Sequence, residues 1–312
     1  MKEFLVFDGH CDTPMTLWEQ RGELAENTGG TDLRRGRAFS GWAQFFAFCT
    51  CYAAGADRLP EEQILQDCYG YFMEQLERSG LPVCTNSAQL QQSLARHRVA
   101  CMLSLEGAEA IGCDPGRLEL LGQMGFSSVM PTWNRENALA GSHATGQGLT
   151  ARGREFVRKA QKLGIMVDVS HLSDQGFWDL CRVAERPVIA SHSNSRAVCA
   201  HSRNLTDDMF RALCEMGGVV GLNFYAPFLA EQSADFESIW RHLDHFLQCD
   251  GSDRHVGLGG DLDGCDVMAR GMTGLESYPS LAEYLSAKGL SDESLRRIFW
   301  ENMMGVYEVC TK

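Results

Sequence analysis

The sequence predicts an α/β protein, a closed (β/α)8 TIM-like barrel in a single domain that spans residues 1–312. Uniformly apolar runs alternate about eight times with stretches of helical spacing, which is typical of a parallel sheet covered by helices. Residue types that bind metals follow several of these runs, as expected in a barrel whose strand C-termini all meet at one end. No Pro-, Gly- or Ser-rich linker divides the chain, so the sequence indicates one domain.

The predicted strands are too uniformly apolar for strands with one solvated face, so we interpret them as buried parallel strands. They are 4-FLVFD, 43-AQFFAF, 99-VACMLSLE, 128-SVMPTWN, 165-IMVDVSH, 188-VIASHS, 218-GVVGLNF and 256-VGLGGD. Helical spacing occurs in seven stretches between them, at 61–80, 86–97, 116–125, 150–164, 173–185, 206–217 and 235–248.

Helix boundaries are marked by capping residues. Ser173, Asp174 and Thr206 are predicted N-caps, and glycines suited to a left-handed C-terminal residue stand at 80, 125, 164 and 217. Residues 265–312 follow the last strand, and their helical patterns predict helices packed beneath or beside the barrel. The final pattern, LSDESLRRIFWENMMGVYEV, resembles a capped amphipathic helix.

Composition limits the class of protein. No apolar run approaches the ~20 residues that span a bilayer, and the N-terminus lacks the pattern of a signal peptide, so we expect a cytoplasmic protein without a membrane partner. Thirteen cysteines, an odd number, indicate reduced thiols rather than a disulfide framework. A net charge of −13 argues against nucleic acid. The choice between a monomer and a homodimer stays open.

Five potential metal ligands stand where predicted strands end. His10 and Asp12, two residues apart on one strand, point to the same side and can chelate one ion. This pair alone is weak evidence, but Glu106, His171 and His192 occupy equivalent positions at the third, fifth and sixth strands. The sequence therefore predicts a metal-dependent hydrolase.

Imidazole and carboxylate ligands suit Zn²⁺, with Mn²⁺, Co²⁺ or Fe²⁺ as acceptable substitutes. Counting ligands assigns His10 and Asp12 to one ion, His171 and His192 to another, and Glu106 to a bridge between them. Such a bridge holds two cations about 3.5–4 Å apart, so that they share a hydroxide. Two divalent ions per chain, most simply Zn²⁺, are the predicted cofactors.

The eighth strand ends in GLGGDLDG, which offers Asp261 and Asp263 beyond the ligand set. A carboxylate beside a metal-bound water can carry its proton to a leaving amine, and we predict this role for Asp261. Aspartates also serve turns, and this alternative stays open for both. The loop after His192 holds Arg196 and Arg203, and either arginine could clamp a substrate carboxylate or be structural.

Seven motifs in order now match one family: DGHCD, SLEGAEAIG, TWNRENALA, VDVSH, ASHSNSRAV, RNLTDD and GLGGDLDG. They closely resemble the renal or membrane dipeptidase family, peptidase family M19, of the amidohydrolase-like metallo-barrels. The resemblance implies a binuclear zinc centre that hydrolyses dipeptides, commonly those with a C-terminal D-residue. It also implies that the five ligands match the family's metal ligands, that Arg203 rather than Arg196 holds the substrate carboxylate, and that Asp261 is the acid near the reacting centre.

One motif departs from the family pattern. Many members have Thr-His-Asn at the fourth strand end, where this chain has Thr132-Trp133-Asn134. Trp133 could pack on the substrate, Asn134 could donate a hydrogen bond, or His143 could reach in, and spacing does not decide among them. Two other functions compete with a dipeptidase. One is N-acyl amino acid, lactam or phosphoester hydrolysis on the same centre, and the other is a non-catalytic metal-stabilised scaffold.

Overall fold

A computed structural model describes residues 4–51 and 59–311, which form eight parallel strands surrounded by helices. The predicted (β/α)8 barrel is thus confirmed. The strands are β1 (Leu5–Cys11), β2 (Gly41–Phe48), β3 (Val99–Glu106), β4 (Phe126–Met130), β5 (Met166–Val167), β6 (Ile189–Ala190), β7 (Val219–Leu222) and β8 (Val256–Leu258).

Helices connect the strands and follow the last one. They are α1 (Thr13–Gln20), α2 (Leu33–Gly36), α3 (Glu61–Arg78), α4 (Ser87–His97), α5 (Leu118–Gln123), α6 (Ala151–Lys162), α7 (Asp174–Cys181), α8 (Asp207–Glu215), α9 (Ala226–Leu229), α10 (Phe236–Asp250), α11 (Tyr278–Ala287), α12 (Asp292–Arg296) and α13 (Asn302–Cys310). Short 3₁₀ turns cover Ala108–Ile111, Pro115–Arg117 and Leu275–Ser277, and a π-helical turn covers Arg297–Glu301.

The strands pair in the order β5-β4-β3-β2-β1-β8-β7-β6, so the first strand lies beside both the second and the last. A parallel bridge between Asp168 and Ile189 joins the two ends of this ladder. The loop after β8 continues the pairing, because Cys11 and Leu262 form another parallel bridge. Closure brings all the strand C-termini to one mouth of the barrel.

The sequence-based boundaries agree best where the apolar run is longest. β3 matches its prediction residue for residue, whereas β5 and β6 are two residues long, and the pairing after β5 continues as the isolated bridge between Asp168 and Ile189. Thr206 and Ser173 cap α8 and α7 as predicted, and the four predicted C-terminal glycines all have positive φ. Asp174 is the first residue of α7 rather than its cap.

The C-terminal helices close the other mouth of the barrel, so the predicted packing beneath the strands is confirmed. Tyr307 of α13 contacts the rings of Phe7 and Phe45 edge-on, with centroids 6.1 and 5.7 Å away. Met303 and Tyr307 are fully buried in a cluster with apolar residues of six strands. The predicted final amphipathic helix is divided into α12, the π turn and α13.

A buried carboxylate joins the first and last strands. Asp8 Oδ1 accepts hydrogen bonds from the backbone N–H of His10 at 2.8 Å and from Gln44 Nε2 at 3.1 Å. Asp8 Oδ2 accepts from the backbone N–H of Gly260 at 2.9 Å and from the hydroxyl of Tyr278. These contacts fix the seam between β1, β2 and β8 directly below His10.

Within the described residues, every helix is too short or too polar to cross a lipid bilayer.

Candidate active site

The five predicted ligands converge at the open mouth of the barrel. His10 lies near the end of β1 with Asp12 just beyond it, and Glu106 is the last residue of β3. His171 and His192 follow the short strands β5 and β6. All five are buried, with at most 6% of any residue exposed.

Glu106 lies between two groups of donors. Its Oε2 is 3.3 Å from His10 Nε2, whereas its Oε1 is 2.8 Å from His171 Nε2 and 3.7 Å from His192 Nε2. Each carboxylate oxygen therefore faces a different group. This is the arrangement that a carboxylate bridging two cations requires.

Each group has the donor atoms that a divalent cation needs. In the first, His10 Nε2 lies 3.3 Å from Asp12 Oδ2 and 3.3 Å from Glu106 Oε2. In the second, His171 Nε2 lies 2.9 Å from His192 Nε2. Two nitrogens bound at 2.0–2.1 Å to one tetrahedral ion would be about 3.3 Å apart, close to this spacing. The residues fit two zinc-type ions.

The second group favours the neutral imidazoles that bind metal. Burial and the charge of Arg203 lower the pKa of His171 to about 3. Burial, with the charges of His10 and Arg203, holds the pKa of His192 well below its usual range. Both rings are therefore uncharged at neutral pH.

In the first group, attraction by nearby carboxylates outweighs the effect of burial, and the histidine favours its charged form. Burial disfavours a charged His10, but the carboxylates of Glu106 and Asp12 outweigh it and raise the pKa of His10 well above its usual range. Burial and the charge of Glu106 raise the pKa of Asp12. The carboxylates thus attract positive charge, which a divalent cation would supply.

The two aspartates that follow β8 have different hydrogen-bond partners. Asp261 Oδ2 accepts a hydrogen bond from Asn223 Nδ2 at 2.9 Å, and its Oδ1 faces His10. Asp263 instead accepts hydrogen bonds from Thr13 Oγ1, at 2.6 Å, and from the backbone N–H of Gly30. Asp263 therefore holds surrounding loops together, whereas Asp261 faces the candidate metal ligand His10.

Arg203 lies on the side of the second group, in a cleft of about 540 Å³ that four of the five candidate ligands line, His10 being the exception. It is 3% exposed, and its Nη2 is 3.2 Å from His171 Nε2, while Nη1 has no partner within the described residues. Burial lowers its pKa to about 10, against the opposing charges of Asp261 and Glu106. Arg203 is thus a buried cation with an unused donor.

The other arginine of this loop has a structural partner. Arg196 forms two hydrogen bonds with the carboxylate of Asp174, at 2.6 and 2.7 Å. Its Nε also donates to the carbonyl of Asn204 at 2.8 Å. These contacts favour Arg203 as the arginine that faces a ligand.

The loop after β4 holds Trp133, which stands where many family members have histidine, and the neighbouring Asn134. Trp133 and Asn134 both line the cleft, and the Trp133 ring centroid is 6.3 Å from that of His171. Asn134 Oδ1 accepts from His171 Nδ1 at 2.9 Å and from His143 Nε2 at 3.0 Å. Asn134 thus orients His171 with its Nε2 toward Glu106, and His143 supports Asn134.

A model of the membrane dipeptidase family, peptidase family M19, matches residues 1–311. The chain belongs to this family. A metallopeptidase from Rhodobacter sphaeroides, bound to a phosphinate mimic of the dipeptide L-Ala-D-Ala, is 32% identical with a TM-score of 0.87, and the match covers 99% of each chain. The M19 metallopeptidase dipeptidase AC is also 32% identical, with a TM-score of 0.88 and 99% of each chain covered. An uncharacterised dipeptidase of Schizosaccharomyces pombe is 28% identical over 99% of this chain and 81% of its own length.

In this M19 chain, a series of hydrogen bonds supports the candidate ligand His192. His192 Nδ1 lies 2.8 Å from Ser191 Oγ, which lies 3.4 Å from Ser170 Oγ. Ser170 Oγ in turn donates to Asp168 Oδ1 at 2.8 Å. Hydrogen bonding at Nδ1 leaves Nε2 for a metal ion and fixes the orientation of the ring.

Replacing Ser191 by alanine is expected to weaken metal binding about 10- to 100-fold, because the ring of His192 loses its orienting partner. Competition with a chelating dye measures this affinity directly. Ser193→Ala is the matched control, since Ser193 Oγ has no hydrogen-bond partner in the described structure. Equal metal affinity in the two variants would contradict the orienting role.

Sequence reasoning missed Asn223, Ser191 and Asp168 as supports of the site. Asn223 and Asp168 follow apolar runs directly, in GLNF and MVDV, which is the same signal that led to the candidate ligands. Ser191 precedes a predicted ligand but carries no signal of its own. Their hydrogen-bond partners lie on neighbouring strands, so these contacts can be recognised only in the folded barrel.

Proposed function

We propose that this chain is a zinc-dependent dipeptidase with two metal ions per chain. The main support for this proposal is the position of Glu106, whose two carboxylate oxygens face two separate groups of donors. His10 and Asp12 would hold one ion, and His171 and His192 the other. When bound, the two ions would lower the pKa of a shared water and polarise the peptide carbonyl.

Asp261 is positioned to move the proton. Its Oδ2 is fixed by Asn223, while Oδ1 faces the donors of the first group. A carboxylate in this position can accept a proton from the attacking water and pass it to the departing amine. The chain thus supplies an acid–base group that the metal ligand set does not need.

Arg203 would select substrates with a free carboxylate. Its buried guanidinium packs over the ring of Phe228, 5.4 Å from the centroid, and carries an unused donor at Nη1. A carboxylate held there fixes the distance between the C-terminus and the scissile bond, so only very short peptides place that bond at the ligands.

Replacing Arg203 by lysine is expected to lower kcat/KM for a free dipeptide about 10²-fold, because the single ammonium of lysine cannot reproduce the fixed, planar set of guanidinium donors. Hydrolysis of the C-terminally amidated dipeptide, already slow in the wild type, should change little. Steady-state kinetics on both substrates measures the difference. Arg196→Lys serves as the matched control, and an equal loss in that variant would contradict the assignment.

We further propose that the cleft accepts dipeptides with a C-terminal D-residue. The L-Ala-D-Ala mimic bound to the Rhodobacter sphaeroides relative supports this proposal. We also propose a cytoplasmic location, which is supported by the lack of disulfide bonds among the described cysteines.

The decisive experiment uses zinc-loaded protein and a panel of L,L- and L,D-dipeptides, a tripeptide and an N-acetylated dipeptide. Cleavage of the free dipeptides alone supports the proposal. Preferential cleavage of the N-acetylated compound would instead favour an N-acyl amino acid hydrolase. Absence of any cleavage despite two bound ions would exclude the dipeptidase and direct attention to Trp133.

A further inference from the structure

A second group of metal-binding residue types lies on the outer wall, between α8 and α10. Asp207 begins α8, and His245 and Cys249 lie on α10. His245 Nε2 is 2.8 Å from Asp207 Oδ1 and 3.3 Å from Cys249 Sγ. The three donor atoms all lie within 4.8 Å of one another.

The helices hold this group in place. His245 and Cys249 are four residues apart, so both side chains lie on one face of α10 and can chelate a single ion. Phe210 of α8 packs on Phe246 of α10, with ring centroids 4.3 Å apart. This contact holds α8, and with it Asp207, beside that face of α10. The three donors are therefore assembled by packing and not by a flexible loop.

The spacing is close to that of a zinc site. At bond lengths of 2.0–2.3 Å and tetrahedral angles, donor atoms lie about 3.3–3.7 Å apart, so the two contacts of His245 Nε2, 2.8 and 3.3 Å long, would lengthen by about half an ångström or less. The side chains of His245 and Asp207 are 27% and 34% exposed. An ion can therefore enter from solvent, with water in the remaining position.

The competing explanation is an ion pair between Asp207 and His245 to which the Cys249 thiol is hydrogen-bonded. Arg211 Nη2 lies 3.9 Å from Asp207 Oδ2, and it is a competing cation. Its side chain is 49% exposed and also pairs with Asp208 at 3.0 Å, so it can turn away without being left unpaired. The sulfur beside the imidazole is the feature that selects a metal over a simple salt bridge.

We propose that Asp207, His245 and Cys249 bind a divalent cation of the zinc or cobalt class, separate from the catalytic ions. The thiol proton is released to solvent on binding, and the thiolate, imidazole and carboxylate become the ligands. The ion crosslinks α8 to α10 close to the loop that carries Arg203. A cation at this place would stabilise the outer wall without touching the substrate.

The test is a Co²⁺ titration of the full-length protein, followed by near-ultraviolet absorption of the thiolate-to-cobalt charge-transfer band. We expect a band in the wild type that is lost in Cys249→Ser, together with one fewer ion per chain by elemental analysis. His245→Gln should also remove the band, which keeps the test decisive if Cys249→Ser folds poorly. Absence of a band in the wild type would overturn the proposal.

Two cysteine variants distinguish this group from others. Cys265 lines the catalytic cleft, and Cys214 forms a neighbouring group with Asp250 and His255. The band should persist in Cys265→Ser and in Cys214→Ser. Loss in either of these variants, with retention in Cys249→Ser, would place the thiolate ligand elsewhere and reject the assignment.

Discussion

Asp261→Asn is expected to lower kcat for dipeptide hydrolysis about 10²–10⁴-fold while leaving the metal content unchanged. An amide has nearly the same shape as a carboxylate, and it keeps an oxygen for the hydrogen bond from Asn223. It cannot, however, accept a proton at neutral pH. Steady-state kinetics combined with elemental analysis of the same sample measures both quantities.

Asp263→Asn provides the matched control, because Asp263 lies two residues away and also has a positive φ. This change disturbs the hydrogen bonds to Thr13 and Gly30, so it should cost about 1–3 kcal/mol of folding stability with kcat close to that of the wild type. Thermal unfolding measures the stability. Full activity of the Asp261 variant, or an equal loss in both variants, would refute the assigned roles.

Glu106→Gln is expected to have the largest effect on metal loading. The amide removes the negative charge that faces both groups of donors, and its NH2 group cannot coordinate a cation. We expect affinity to fall at least ~10²-fold for one ion, with turnover reduced at least as much. Isothermal titration of the metal-free protein with Zn²⁺ measures the stoichiometry and the affinity.

Glu109→Gln is the control for this change, since Glu109 lies three residues away and contacts Asn137 and Cys51 instead of the ligands. It should bind the same number of ions as the wild type. Two tightly bound ions in Glu106→Gln would show that the carboxylate is not a bridge.

The fold was predictable because each strand coincides with an apolar run in the sequence and most of the longer helices coincide with a stretch of helical spacing. The run VACMLSLE is buried along its whole length and became β3 with the predicted ends. Residues 13–42 were not predictable, since α1 begins directly after Asp12 without a side-chain cap. The short ladders of β5 and β6 were overestimated, because apolar composition reports burial and not hydrogen bonding.

The site was predictable as a set of residues and not as a set of contacts. Spacing placed His171 and Asn134 at strand ends, but only the structure shows that Asn134 Oδ1 accepts from His171. The same limit applies to Trp133, whose proximity to the His171 ring depends on the path of a loop. Contacts between distant segments depend on barrel closure, which a local pattern does not contain.

The seam at Asp8 has a consequence for biosynthesis. Its carboxylate binds Gly260 and Tyr278, more than 250 residues downstream, and the adjacent His10 receives its backbone position from the same carboxylate. On the ribosome, the first candidate metal ligands, His10 and Asp12, are therefore synthesised long before the segment that fixes their position. We expect metal acquisition to follow release of the completed polypeptide, so fragments that lack residues beyond 260 should remain unloaded and exposed to proteolysis.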